Sequence, residues 1–338
     1  MDIKSWLILI SKGNIKMKKL LLMVSAMTAA VFSAAKADIS ASGSAGVHMI
    51  TGEDVVGADG VTATNNTLFM NGAALSFAMS ATTAGGMTVS TSAGVSLDSN
   101  DSDNTKGATG MNNVKFAADG FTLTVGDVDT VGSGTGHVGN VASDVVDNGG
   151  YAQTGIATGL ASATTEGYGF VASSSVSGAS VSLSYLLDHT NSVVNNAETS
   201  SGDYVTGLSL SIPMGDMTVG LGHSSATKSA SGSSNTTTSG ISVSYALSGM
   251  TVKAGYESSD LSTDATTAAA SISGSLDADT TWAIGYTDGE NGSLSSTRTE
   301  AKLTRSLGGG VSVYAELQNL SGSGTAGTNM AVGTTVAF

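Results

Sequence analysis

The sequence predicts an all-β fold, a closed antiparallel barrel of about 16 strands, on three observations. Along the 338 residues, apolar side chains recur at every second position with Ser, Thr, Gly and Ala between them. That is the period of strands with one apolar face. Only 12% of residues are charged, 45 are glycine and one is proline, a composition poor in helix formers and rich in strand and turn formers. The third observation is the last stretch, Thr328–Phe338. Counting back in twos from Phe338 gives Val336, Thr334, Val332 and Met330, with Ala337, Thr335, Gly333 and Ala331 between them. An exposed apolar last strand would offer a row of unpaired N–H and C=O groups. Pairing it with the first strand closes the barrel and removes that edge.

The chain begins with residues that do not fit this pattern. Lys16, Lys18 and Lys19 precede the apolar run Leu20–Phe32, and Ala35-Lys36-Ala37 is a small-x-small cleavage site before Asp38. Residues 1–37 therefore read as an N-terminal extension and secretory signal peptide, with Met17 as the natural start. The apolar run is too short for a spanning helix, which needs about 20 residues. Six of the 13 basic residues and one of the 27 acids lie in this segment, leaving seven bases against 26 acids, a net of about −19. Such a surplus excludes a nucleic-acid binder, which needs a basic footprint, and favours cations as partners. The absence of cysteine excludes a disulfide scaffold and thiolate metal sites. Residues 38–338 show no linker and read as one domain.

The strands follow in order. Ile39, Ala41, Gly43, Ala45, Val47 and Met49 alternate in the first. Phe69 to Met79 carry the second, and after the turn Thr82–Gly86, Met87 to Leu97 carry the third. Val114, Phe116 and Ala118 meet Phe121, Leu123 and Val125 across Asp119-Gly120, a two-residue hairpin signal. Further turns are expected at Val176–Gly178, Pro213–Asp216, Ser248-Gly249, Asp277–Asp279 and Gly308–Gly310. Short turns alternate with longer polar loops, as in membrane barrels with both termini on the short-turn side. A β-solenoid adhesin or surface structural protein is the alternative for an exported Ser/Thr/Gly-rich chain. It should show a fixed repeat, and none is present.

Two segments carry a specific resemblance. ALSFAMSATTAGGMTVSTSAGVSL (Ala74–Leu97) resembles the second and third strands of alphaproteobacterial general porins, with their S-x-T-T-x-x-G turn. GFTLTVGDVDT (Gly120–Thr130) resembles the fifth strand of that family, with the G-D that opens its constriction loop. The resemblance implies an outer-membrane, water-filled channel for small hydrophilic solutes and ions, without enzymatic activity. It also implies a homotrimer joined near the first strands, where Ala41, Gly43, Ala45 and Val47 would face outward in contact with a neighbour or lipid.

In the resembled family the connection after the fifth strand folds into the barrel and narrows it. Here the longest connection, about Asp127–Gly167, holds Asp127, Asp129, Asp144, Asp147 and Glu166 and no Lys or Arg. Acids in a narrow, partly desolvated passage attract cations. Asp127, Asp129, Asp144 and Asp147 are therefore expected at the constriction. Wall charges follow from parity, because a charge on the lipid face costs about 2–4 kcal/mol at the midplane. Lys115, Lys253, Arg298, Glu300, Lys302 and Glu316 fall on lumen positions. Where the resembled porins oppose the loop with an arginine cluster, this chain has scattered bases. Asp98, Asp101 and Asp103, with Asn100, resemble a Ca²⁺ loop only loosely, lacking the glycine and distal Glu of the EF-hand register. A solvated polar loop is the simpler reading, and no cofactor is expected. No nucleophile constellation or phosphate loop stands out.

Overall fold

The computed structural model describes residues 36–52, 55–56, 62–63, 67–97, 106–109, 113–132, 166–187, 204–227, 235–260, 265–322 and 327–338. The period-2 segments form one sheet closed on itself. Its strands are β1 (Lys36–Gly52), β2 (Thr67–Thr82), β3 (Thr88–Leu97), β4 in two segments (Lys106–Thr109 and Asn113–Ala118) and β5 (Phe121–Asp129). β6 (Glu166–Val176), β7 (Ala179–Leu187), β8 (Tyr204–Met214), β9 (Met217–Thr227), β10 (Thr236–Leu247) and β11 (Met250–Ser259) follow. β12 (Ala265–Ser275), β13 (Thr280–Asn291), β14 (Leu294–Gly308), β15 (Val311–Gly322) and β16 (Gly327–Ala337) complete the wall. A small ribbon, Val55–Val56 with Thr62–Ala63, stands outside this sheet.

Each wall strand pairs antiparallel with the next, and β1 pairs with both β2 and β16. The β1–β16 register runs from Ser44↔Ala337 to Gly52↔Asn329. Beyond it, the Phe338 N–H donates to the Gly43 carbonyl at 2.9 Å and the Gly43 N–H to the Phe338 carbonyl at 2.7 Å. The Phe338 ring occupies the space a side chain at position 43 would need, since a Cβ on Gly43 would stand 2.6 Å from its Cζ. The β1–β16 ladder therefore closes the barrel, Phe338 extends it by one pair, and a closed sheet excludes a solenoid.

The turns form where the sequence calls for them. Ser248 (φ 46°) and Gly249 (φ 85°) both adopt the left-handed conformation of a type I′ hairpin, whose twist matches that of the strands it joins. Leu183, Leu208, Leu221, Ile241, Ile284, Leu303 and Leu317 are exposed on the outer face. On the other face Ser184, Ser224, Thr238, Glu257, Thr267 and Thr287 are buried. Apolar outside and polar inside is the arrangement of a barrel whose solvent on the outside is lipid. Phe170, Tyr185 and Tyr204 stack in a row across the outer face of β6–β8, with centroids 6.0 and 5.6 Å apart, an aromatic belt of the kind that sits at a membrane interface.

Three details differ from the expectations. The chain between β13 and β14 is a tight hairpin, with Asn291 opposite Leu294 and Gly292 at φ 60°, where a longer loop is expected. Pro213 lies within β8, opposite Thr218, rather than in the turn. The β7–β8 pairing ends at Ser180↔Ser211, so no β7 partner is left without the N–H that proline lacks. The long connection after β5 is also shorter than Asp127–Gly167, because Asp127–Asp129 pair with Glu166–Tyr168 as strand. Residues 1–35, most of the predicted leader, lie outside the described residues.

Candidate functional site: the lumen wall and the root of the long loop

Alternation along β14 points Arg298, Glu300 and Lys302 inward, between the outward Thr299, Ala301 and Leu303. Alternation along β15 does the same for Tyr314, Glu316 and Gln318. Register sets these rungs side by side, Glu300 opposite Gln318 and Lys302 opposite Glu316. Arg298 Nε lies 2.7 Å from Glu300 Oε1, with side chains 5% and 1% exposed. Lys302 Nζ lies 3.1 Å from Glu316 Oε1 and 5.9 Å from the centroid of the Tyr314 ring. Gln318 Nε2 donates to Glu300 Oε1 at 2.9 Å. The structure thus gathers four of the six expected wall charges into one cluster, in which each base meets a carboxylate.

The other two stand apart. Lys115 lies opposite Thr124 and Ser90, and Lys253 opposite Ser244 and Ser271. Glu257 is a further inward acid, fully buried on β11, opposite Gly240 and Thr267. Its parity, one position after the outward Tyr256, is the sequence signal that finds it. Ser42, Ser44, Ala74, Ser76, Ser92 and Gly94 of β1–β3 border one recess together with Gly43, Leu75, Val95 and Phe338.

Among the expected loop acids, Asp127 and Asp129 are strand residues at the root of the long connection. Asp127 stands opposite Tyr168 and Asp129 opposite Glu166, alternating with the buried Val128. Val128 packs inside against Leu186, Val205 and Ala226, with Val171 beside them. Val128, Asp127 and Asp129 also border a recess with Asn113, Thr124, Val131 and Val171. Asp144 and Asp147 lie outside the described residues, as do Asp98, Asp101 and Asp103.

The three residues after β5 run along the inside of the wall. The Val131 N–H donates to Ser184 Oγ of β7 at 3.1 Å. Gly132 (φ 84°) lies against the backbone of β8 and β9, where a Cβ would meet the His223 carbonyl oxygen at 2.7 Å. The opposing wall positions are glycines too. A Cβ on Gly222 would stand 2.6 Å from the Gly132 carbonyl oxygen, and one on Gly207 would run into that of Val131.

Two exposed acids at strand ends titrate below the ordinary carboxylate range. Asp277, in the turn before β13, is held down chiefly by the Asp279 N–H at 2.9 Å, then by Thr280, with Arg305 at 3.6 Å contributing. Asp260, beyond β11, is held down chiefly by the Thr237 N–H.

Comparison with known proteins agrees with this geometry. The model of the family described as Gram-negative porin matches residues 21–325. No curated protein matches. Among solved structures, a loop L8 deletion mutant of OmpT, an outer membrane protein of Vibrio cholerae, superposes with a TM-score of 0.66 at 12% identity, covering 89% of this chain and 99% of its own. An anion-selective porin from Comamonas acidovorans gives 0.63 at 12% identity, covering 90% and 100%. A multiply substituted mutant of Rh. blastica porin gives 0.61 at 18% identity, covering 89% and 100%. At these identities the likeness is one of fold.

Proposed function

We infer the function from the family to which the chain belongs, the Gram-negative porins. It is an outer-membrane channel. We propose that it passes small hydrophilic solutes and ions by passive diffusion, without catalysis, and that it prefers cations. Supporting the preference is the pairing of the wall charges. Arg298 and Lys302 each meet a wall carboxylate, so their fields are largely cancelled locally, and the long connection sets its acids, with no Lys or Arg, against Lys115 and Lys253. Asp144 and Asp147 of the long connection are the acids we assign to the passage, whereas Asp127 and Asp129 at its root alternate with the inward Val128 and share the face of the exposed Val125 and Tyr168. The same fold serves a protein named as anion-selective, so the sign rests on charge placement and not on architecture. A reversal potential measured across a planar bilayer in a KCl gradient tests it, and a potential of the anion-selective sign refutes it.

The assembly we propose is a homotrimer, as in the trimer form of V. cholerae OmpT, which superposes at a TM-score of 0.64 with 12% identity, covering 89% of this chain and 99% of its own. Register supports the outward placement of Ala41, Gly43, Ala45 and Val47. Ala41 pairs with the exposed Phe77 and Gly43 with the exposed Leu75, while Ala45 and Val47 pair with Val336 and Thr334, which share the face of the exposed Val332. Small side chains there let two walls approach closely. Cross-linking in mild detergent that yields only monomers refutes the trimer. We propose further that the secreted form begins at Asp38, which N-terminal sequencing of the membrane-extracted protein checks. No cofactor is part of this reading, and it does not draw on Ca²⁺ at Asp98, Asp101 and Asp103.

A further inference from the structure

We propose that Ser184, Gly207 and Gly222 form a seat in the wall that determines the pore's cross-section, by fixing where the chain leaving β5 runs. The inference rests on the porin reading, because only in a channel does the position of an inner strap matter to solutes. Three strands contribute. Ser184 of β7 accepts the Val131 N–H at 3.1 Å. Gly207 of β8 and Gly222 of β9 face inward and leave bare backbone, against which Val131 and Gly132 lie in van der Waals contact.

The fit is mutual. Gly132 has no room for a Cβ, and its φ of 84° disfavours any other residue. A Cβ at Gly207 would meet both the Val131 carbonyl and Ser184 Oγ, the latter at 2.5 Å, removing the contact and the hydrogen-bond acceptor's position together. The wall is held by its own ladder, with Gly207 paired to Ser184 and Ser224. It is therefore the strap that must yield to an added side chain, by moving off the wall. A larger residue in the seat narrows the passage.

Because the chain holds no cysteine, Val131→Cys with Ser184→Cys supplies the sole thiol pair. Oxidation should join the two, since the Val131 amide and the Ser184 side chain touch and a disulfide needs Cα atoms about 4.4–6.8 Å apart. Single-channel conductance is then measured for wild type, Gly207→Val and Gly222→Ala. The seat predicts an efficient cross-link in the otherwise wild-type barrel and at least a several-fold weaker one when Gly207→Val is added. It also predicts reduced conductance in Gly207→Val and a smaller reduction in Gly222→Ala. Absence of the cross-link, or wild-type conductance in both glycine variants, overturns it. If Gly207→Val fails to give a heat-modifiable barrel, Gly222→Ala and the cross-link decide alone. Silent wild-type barrels in the bilayer would instead sink the porin reading, an outcome the cross-link distinguishes from failure of the seat.

Discussion

Replacing Glu300 by Gln removes one charge from the wall and almost nothing else. The side chain keeps its shape, and its Oε1 still accepts the Gln318 amide, now 2.9 Å away. What disappears is the attraction to Arg298, whose Nε sits 2.7 Å from that oxygen with both side chains nearly sealed from solvent. Charge centres about 4 Å apart interact by about 4 kcal/mol at an effective dielectric of about 20. Removing one partner of a buried pair costs about 3–5 kcal/mol, because the remaining charge keeps its desolvation penalty. With about 2–4 °C lost per kcal/mol in a large domain, the unfolding midpoint of Glu300→Gln should fall by roughly 6–20 °C. Heat-modifiable migration on a detergent gel, taken through a temperature series, reads this directly. Adding Arg298→Met to Glu300→Gln should recover most of the loss, since the double variant buries no lone charge. A shift under about 2 °C in the single variant would refute the reasoning, for it would mean that lumen water screens the pair as at an open surface.

Neutralising Asp144 and Asp147 together to Asn should move the KCl reversal potential toward anions. The same change at Asp127 and Asp129 should move it less, because those two alternate with the buried Val128 at the loop root; the opposite ranking sinks the assignment. Gly43→Val should displace the Phe338 ring, which a Cβ would approach to 2.6 Å. The overpacking cost of about 1–3 kcal/mol should appear as a lowered heat-modification temperature, and an unchanged temperature refutes the ring's packing against Gly43. Asp277 titrates below its unfolded value of 3.8. Its small contribution to stability is therefore complete above that value and lost as pH falls through the lowered one. Asp277→Asn should flatten the acid limb of a stability–pH curve in that window, lower stability slightly at neutral pH, where the contribution is complete, and leave it unchanged below the lowered value.

Much of the wall was legible because a strand's two faces are written two residues apart. Parity alone put Arg298, Glu300, Lys302 and Glu316 inside, since the lipid face tolerates so few charges. The hairpin signals at Asp119-Gly120 and Ser248-Gly249 were legible for a similar reason, each being a local backbone requirement. What escaped is what depends on register between strands far apart in sequence. Nothing in the residues around Glu300 announces that Gln318 lies opposite, and 45 glycines hide the three that meet at the loop root. The fate of Gly126–Asp129 was hidden as well. Whether the fifth strand stops at its glycine or runs on depends on Glu166–Gly169, about 40 residues away, offering it a ladder.

The pairing of Gly43 with Phe338 bears on how the molecule is made. The contact that closes the ladder joins Gly43 of the first wall strand to Phe338, just beyond the last. No prefix of the polypeptide that lacks β16 can reach the finished topology, so β16 must be made before the ring can form. Until then two strand edges remain open, and in water these are sites of self-association. Loss of the final dozen residues would accordingly not trim the structure by a small fraction. It would convert a seamless cylinder into a split sheet with a raw edge on β1 and another on β15, which a membrane interior cannot accommodate.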